Sequence, residues 1–214
     1  MNKSTRALDS AQELIINEFV KRYLFDKTSV ISQLIYSKDI QIKGVDMLAD
    51  GIKYDFKAQS SPRYINKPTD TFIVELSFLD KYDERVDGWF IKEDLLTDRY
   101  AFIWITDAKV NEQGYITNIN DINSIEVMIV DKHNLQTNFF NTIGNKDCVD
   151  IENELLDIEE RNPDRKPFKY INNIKFVLSN QLYERPIVAV LTKDFLKQSA
   201  ISHYEVTKNS LKNL

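Results

Sequence analysis

One cysteine, Cys148, and two histidines, His133 and His203, stand in a chain of 214 residues that also holds only five glycines and five prolines. A lone thiol excludes an internal disulfide, and two distant histidines beside it exclude a zinc centre of clustered Cys and His ligands. Cys148 reads as an incidental thiol. Long apolar runs are missing as well: none approaches the roughly 20 residues needed to cross a bilayer. The start, Met1-Asn2-Lys3-Ser4-Thr5-Arg6, lacks the apolar centre of a secretory leader, so a cytoplasmic protein with no membrane partner is expected. No repeat, low-complexity stretch or Gly/Ser-rich linker divides the chain. What remains is 43% hydrophobic and 11% aromatic, enough for a sizeable core. The net charge is −5, and Asp147, Asp150, Glu152, Glu154, Asp157, Glu159 and Glu160 crowd one segment. That segment reads as a solvated face without a function of its own.

Apolar periodicity places the elements. Leu8, Ala11, Leu14, Ile15, Ile16, Phe19, Val20, Tyr23 and Leu24 recur at helical spacing and predict a helix over residues 6–25, with Asp9 and Ser10 as caps near its start. Ile40, Ile42, Val45, Leu48, Ile52, Tyr54 and Phe56 read as buried strand. Further strands are expected over 71–78, 100–105, 125–130, within 169–178 and over 186–191, with helices over 132–140 and 193–200. Gly114 and Asn162-Pro163-Asp164 read as turns. Trp89 and Trp104 read as core. The expected class is α/β in a single domain, residues 1–110 forming its core and 111–214 enlarging it.

The chemistry concentrates at one hairpin. Asp50-Gly51 is the favoured central pair of a two-residue type I′ turn, which sets Ala49 opposite Ile52, Leu48 opposite Lys53, Met47 opposite Tyr54 and Asp46 opposite Asp55. Lys57, two residues past Asp55, falls on the same face, roughly 7 Å along the strand. Tyr54 and Phe56 take the opposite face. Facing carboxylates at a Cα separation of about 4.5–5.5 Å repel unless a proton or a cation lies between them. A divalent metal is a natural occupant. The plain alternative is a hairpin with ordinary surface charges, and a three-residue loop would break the Asp46–Asp55 pairing.

Asp46, the hairpin, then Asp55-Phe56-Lys57, preceded by a helix that carries an acid, resembles the PD-(D/E)XK nuclease superfamily. The likeness covers about a quarter of the chain; no proline precedes Asp46, and Asp stands at 55 where Glu is commoner. In the helix, Glu13 with Ile16 and Phe19 is similar to the superfamily's Glu-x-x-aliphatic-x-x-Leu/Phe spacing, with Glu18 as the competitor. The resemblance implies a restriction-endonuclease-like fold, a mixed central sheet flanked by helices. It also implies a Mg²⁺- or Mn²⁺-dependent nuclease in which Asp46, Asp55, the Phe56 carbonyl and Glu13 hold the ion. Lys57 would orient or deprotonate the attacking water, and its charge would offset that developing on phosphorus. Gln59, next on the Lys57 face, is a candidate for a phosphate oxygen or the water, or simply marks the strand's exit into Ser60-Ser61-Pro62. Glu75, on the polar side of the 71–78 strand, joins the acids if that strand pairs beside the hairpin.

The implied partner is nucleic acid, DNA ahead of RNA, and many such enzymes cut as homodimers. Gly88-Trp89-Phe90 followed by Thr97-Asp98-Arg99-Tyr100 and Trp104 is reminiscent, more weakly, of small nuclease-like proteins of phages and mobile elements. The net charge works against phosphate binding, since Lys and Arg drive it. Near the motif, however, stand Lys53, Lys57, Arg63, Lys67 and Lys81, with Tyr64 in the loop 60–68. The competing expectation is a non-catalytic nuclease-fold binding or inhibitor protein from a phage or mobile element.

Overall fold

The computed structural model describes residues 3–144 and 146–214, with side chains from residue 7 onward. Helix α1 (Lys3–Val20) passes into a π-helical turn (Lys21–Phe25) and a short α2 (Asp26–Thr28). Ile16, Phe19, Val20, Leu24 and Phe25 are buried, whereas Leu14 is exposed. The wider π turn adds a residue per turn, which keeps Leu24 and Phe25 on the side already occupied by Phe19 and Val20.

Strand β1 (Ser32–Leu34) leads to α3 (Lys38–Gln41), and then to β2 (Met47–Ala49) and β3 (Ile52–Ala58). The expected strand residues Ile40 and Ile42 therefore belong to a short helix and its end, where they are 41% and 70% exposed. Local bonding explains the difference: the N–H groups of Gln41 and Ile42 return to the carbonyls of Ser37 and Lys38. The chain straightens only after Gly44, which sits at φ +74°. Strands β4 (Thr71–Leu79) and β5 (Arg85–Asp87) follow, then β6 (Arg99–Ala108), β7 (Ile122–Asp131), α4 (Lys132–Thr142) and α5 (Cys148–Arg161). The chain ends in β8 (Phe168–Ile171), β9 (Ile174–Leu178), β10 (Ile187–Thr192), α6 (Lys193–Lys197), β11 (Ala200–Thr207) and β12 (Leu211–Asn213).

These elements build two units from interleaved segments. Met1–Thr69, Leu96–Lys132 and Ala200–Leu214 form the first; Asp70–Leu95 and His133–Ser199 form the second. The first holds a seven-stranded sheet in the order β1-β2-β3-β6-β7-β11-β12, antiparallel except where β3 runs parallel to β6. It is a mixed sheet in an α/β protein. One face carries Tyr54, Phe56, Ala101, Ile103, Ile105, Val127 and Ile129 into a single core with Ile16, Phe19, Val20, Leu24 and Phe25. Strand alternation and the register Asp55↔Tyr100 and Lys57↔Phe102 put Asp55, Lys57, Tyr100, Phe102 and Trp104 on the other face. Tyr100, Phe102 and Trp104 there are wholly buried, as expected for Trp104.

The second unit holds a sheet in the order β5-β4-β10-β9-β8, all antiparallel. The stretch 169–178, expected to hold one strand, is a hairpin: Asn172 and Asn173 sit at φ +44° and +71° between β8 and β9. The acidic segment is α5, whose Ile151 and Leu155, four apart, are buried while most of its acids remain accessible.

Candidate functional site

Asp50 and Gly51 have φ of +50° and +82°, the two left-handed residues of a type I′ turn. The ladder is the one the dipeptide dictates: Ala49↔Ile52, Leu48↔Lys53 and Met47↔Tyr54. The Asp50 carboxylate fastens the tip by accepting from Ile31 N at 2.9 Å and Val30 N at 3.3 Å. A side chain at 51 is strained by that φ even though the space around it is open. Gly51→Ala is expected to lower unfolding stability by about 1 kcal/mol in a urea titration.

Asp46 lies one residue beyond the ladder and straddles Asp55. Its N–H donates to Tyr54 O and its Oδ2 accepts from Phe56 N, both at 2.8 Å. The two carboxyls are thereby adjacent, and the charge of Asp46 acts on Asp55. Lys57 Nζ pairs with Asp55 Oδ1 at 2.9 Å. Asp55 itself is 3% exposed, and its Oδ2 is buried with no hydrogen-bond partner. Burial pushes the Asp55 carboxyl up to about 7, with Asp46 adding to the rise and Lys57 opposing it. Such an oxygen needs a proton or a cation, because an isolated buried charge is costly.

Glu13 belongs to the same neighbourhood. It lies on the accessible side of α1, yet loss of solvent around its carboxyl and the charges of Asp46 and Asp9 raise its pKa, while Lys57 lowers it. Glu18, the competing acid, instead pairs with Arg22 at 3.2 Å one turn along the helix. Gln12, next to Glu13, pins this part of α1: its side chain donates to Ser60 O at 2.5 Å and accepts from Ile116 N at 2.7 Å.

Gln59 is bound into the loop that follows its strand. Its Oε1 accepts from Thr69 N and its Nε2 donates to Thr69 Oγ1, each at 3.0 Å, so the amide closes the loop 60–69. Gln59→Ala is expected to cost about 1–2 kcal/mol of stability in a urea titration and to leave divalent-cation affinity, read by calorimetry, within about twofold. Phe56 contributes its N–H to Asp46, and its side chain stacks on Phe25 at 5.9 Å in the core. Glu75 is half-buried on β4. The ladder partners of that strand are β5 and β10, so the expected pairing of β4 beside the hairpin does not occur.

Tyr100 is the neighbour that sequence reasoning missed. It stands opposite Asp55 in the parallel ladder, and burial, followed by the Asp55 charge, drives its phenol upward. Nothing in the run 100–105 announces this, because it depends on β6 joining β3. Of the basic residues near the motif, Arg63 is engaged with Tyr64, its guanidinium 4.5 Å from the ring centre. Cys148 starts α5; burial, Asp147, Asp87 and Glu152 push its thiol up to about 11, so it carries no thiolate at neutral pH.

Among the described residues, no three Asp, Glu, His or Cys side chains form a ready-made cation cage. Mg²⁺ does not require one: it binds through one or two carboxylates and completes its octahedron with waters and substrate phosphate. The donor set of Asp46 and Asp55, with a buried oxygen lacking a partner, fits that mode. Comparison with known protein families, with curated proteins and with solved structures finds no match to this chain.

Proposed function

We propose that the chain is a metal-dependent nuclease that hydrolyses phosphodiester bonds, in DNA ahead of RNA, at Asp46, Asp55 and Lys57. The observation that carries this reading is the buried, unpartnered Asp55 Oδ2, held beside a second carboxylate and an ammonium. Asp46 and Asp55 would hold Mg²⁺ or Mn²⁺, with the Phe56 carbonyl as a further donor and Glu13 reaching the cluster from α1. When bound, the ion would supply a Lewis acid at the phosphate and a more acidic water. Lys57 orients or deprotonates the attacking water, and its charge favours the build-up of negative charge on the phosphorus oxygens. Phe56 N–H fixes the Asp46 carboxylate, so the acid reaches the site already oriented. The restriction-endonuclease-like fold, a homodimeric form and a cytoplasmic setting belong to the same proposal. Its support in the fold is the mixed sheet with α1 packed on the face away from Asp55.

The test is to incubate the protein with supercoiled, linear and single-stranded DNA and with RNA, in Mg²⁺, Mn²⁺ or EDTA. Nicking or trimming that EDTA stops is the expected result. Inertness on every substrate, with no cation uptake by titration, overturns the proposal and leaves a non-catalytic binding protein.

A further inference from the structure

On the core face of the first unit's sheet, opposite the one that carries Asp55 and Lys57, a recess of about 310 Å³ opens. The π-helical turn supplies Leu24 and Phe25 to it, and the sheet supplies Tyr54, Arg99, Ile129 and Ile201. Arg99 decides what such a recess favours. Its guanidinium is half-buried and donates to the Tyr54 hydroxyl at 3.2 Å. Among the described residues no carboxylate lies within ion-pair distance of it. That includes Asp131, which faces it in the β6–β7 register. A half-buried guanidinium whose hydrogen bond is to a hydroxyl retains its preference for a planar or tetrahedral oxyanion, which it grips through two parallel N–H donors. The remaining walls are apolar and aromatic, with the hydroxyls of Ser29 and Ser202 at hand. The one carboxylate in the lining, Asp50, belongs to the hairpin tip, where it is held by Ile31 N and Val30 N.

We propose that this recess binds a small molecule with a flat ring and one phosphate or carboxylate group, the anion on Arg99 and the ring against Phe25, Ile129 and Ile201. The volume lies at the lower end of the range for small-molecule sites, roughly 300–1,000 Å³. The site shares no residue with the acidic cluster. It nevertheless bears on the same strand: Tyr54 precedes Asp55, and Phe25 packs on both Tyr54 and Phe56 at 4.8 and 5.9 Å. Occupancy therefore stiffens the segment that carries the two acids.

The experiment is calorimetric titration of the full chain, without divalent metal, using adenosine monophosphate, thymidine monophosphate, benzoate and inorganic phosphate. One ring-bearing anion binding at a 1:1 ratio, more tightly than inorganic phosphate, is the expected result. Arg99→Gln should weaken it at least about tenfold. Ile201→Trp, at a position 48% exposed, should block the recess without burdening the core. Asp46→Ala should leave binding unchanged, whatever happens to nuclease activity. No binding by any probe, equal binding in Ile201→Trp, or loss in Asp46→Ala with retention in Arg99→Gln would each overturn the assignment.

Discussion

Asp46→Ala is expected to reduce metal-dependent cleavage to background while the chain stays folded. The residue is half-buried and its carboxylate makes one backbone contact, to Phe56 N. Deletion therefore costs about 1 kcal/mol of stability, but it removes one of the two carboxylates proposed to hold the ion. Asp46→Asn separates the two effects. It keeps an oxygen for Phe56 N but lacks the charge, so it should match the parent in a urea titration and still fail to cleave. Lys57→Ala should lose about 10²–10³-fold in kcat, the typical loss when one group that stabilises transition-state charge is deleted. The same change leaves Asp55 Oδ1 without its ammonium, which drives the Asp55 carboxyl higher still. Undiminished cleavage in both Asp46→Ala and Lys57→Ala, measured on supercoiled DNA in Mg²⁺, removes the mechanism.

Asp55→Asn should make the protein more stable and inactive. The Asp55 carboxyl titrates near 7 in the fold against an ordinary value of 3.8, so the fold favours its neutral form. That preference contributes stability in full below about pH 4 and is lost as pH rises through 7. At pH 8 the parent carries a buried carboxylate that the asparagine variant lacks. A gain on the order of 2–4 kcal/mol is expected there, shrinking towards zero at pH 4. Added Mg²⁺ should stabilise the parent at pH 8 and leave Asp55→Asn unmoved. Because the ionised carboxylate is the form that takes up a cation, cation affinity and cleavage in the parent should both climb as pH passes 7. A pH-independent stability difference between the two proteins, followed by chemical denaturation from pH 4 to 9, would refute the account of Asp55.

The hairpin was legible from two residues. Asp-Gly dictates a turn with two left-handed positions, and every partner from Ala49 to Tyr54 follows from it by counting. The preference for Glu13 over Glu18 rests on spacing alone; in the fold Glu18 pairs with Arg22. Other features were hidden for physical reasons. Ile40 and Ile42 alternate like a strand, but alternation over three residues does not outweigh a helical turn closed by its own backbone. Asn172-Asn173 escaped notice because asparagine pairs reach the left-handed region less visibly than Asn-Gly does. Strands β11 and β12 were missed because Ser202, His203, Tyr204 and Glu205 give no apolar alternation; the edge half of a sheet needs little of it. The interleaving of the two units leaves no mark in composition, since no linker rich in Gly or Pro separates them.

That interleaving has a consequence during synthesis. A ribosome delivers Asp70–Leu95 before β6 and β7, and all of His133–Ser199 before β11 and β12. Strand β3 gains both its neighbours, β2 and β6, once residue 108 has emerged, so the ladder around Asp55 assembles early. Strand β7 must wait with one open edge through nearly seventy further residues, roughly the span between its end and β11. A nascent chain stalled in that interval presents unpaired strand backbone to any other chain within reach, which makes this the interval in which a chaperone has most to protect.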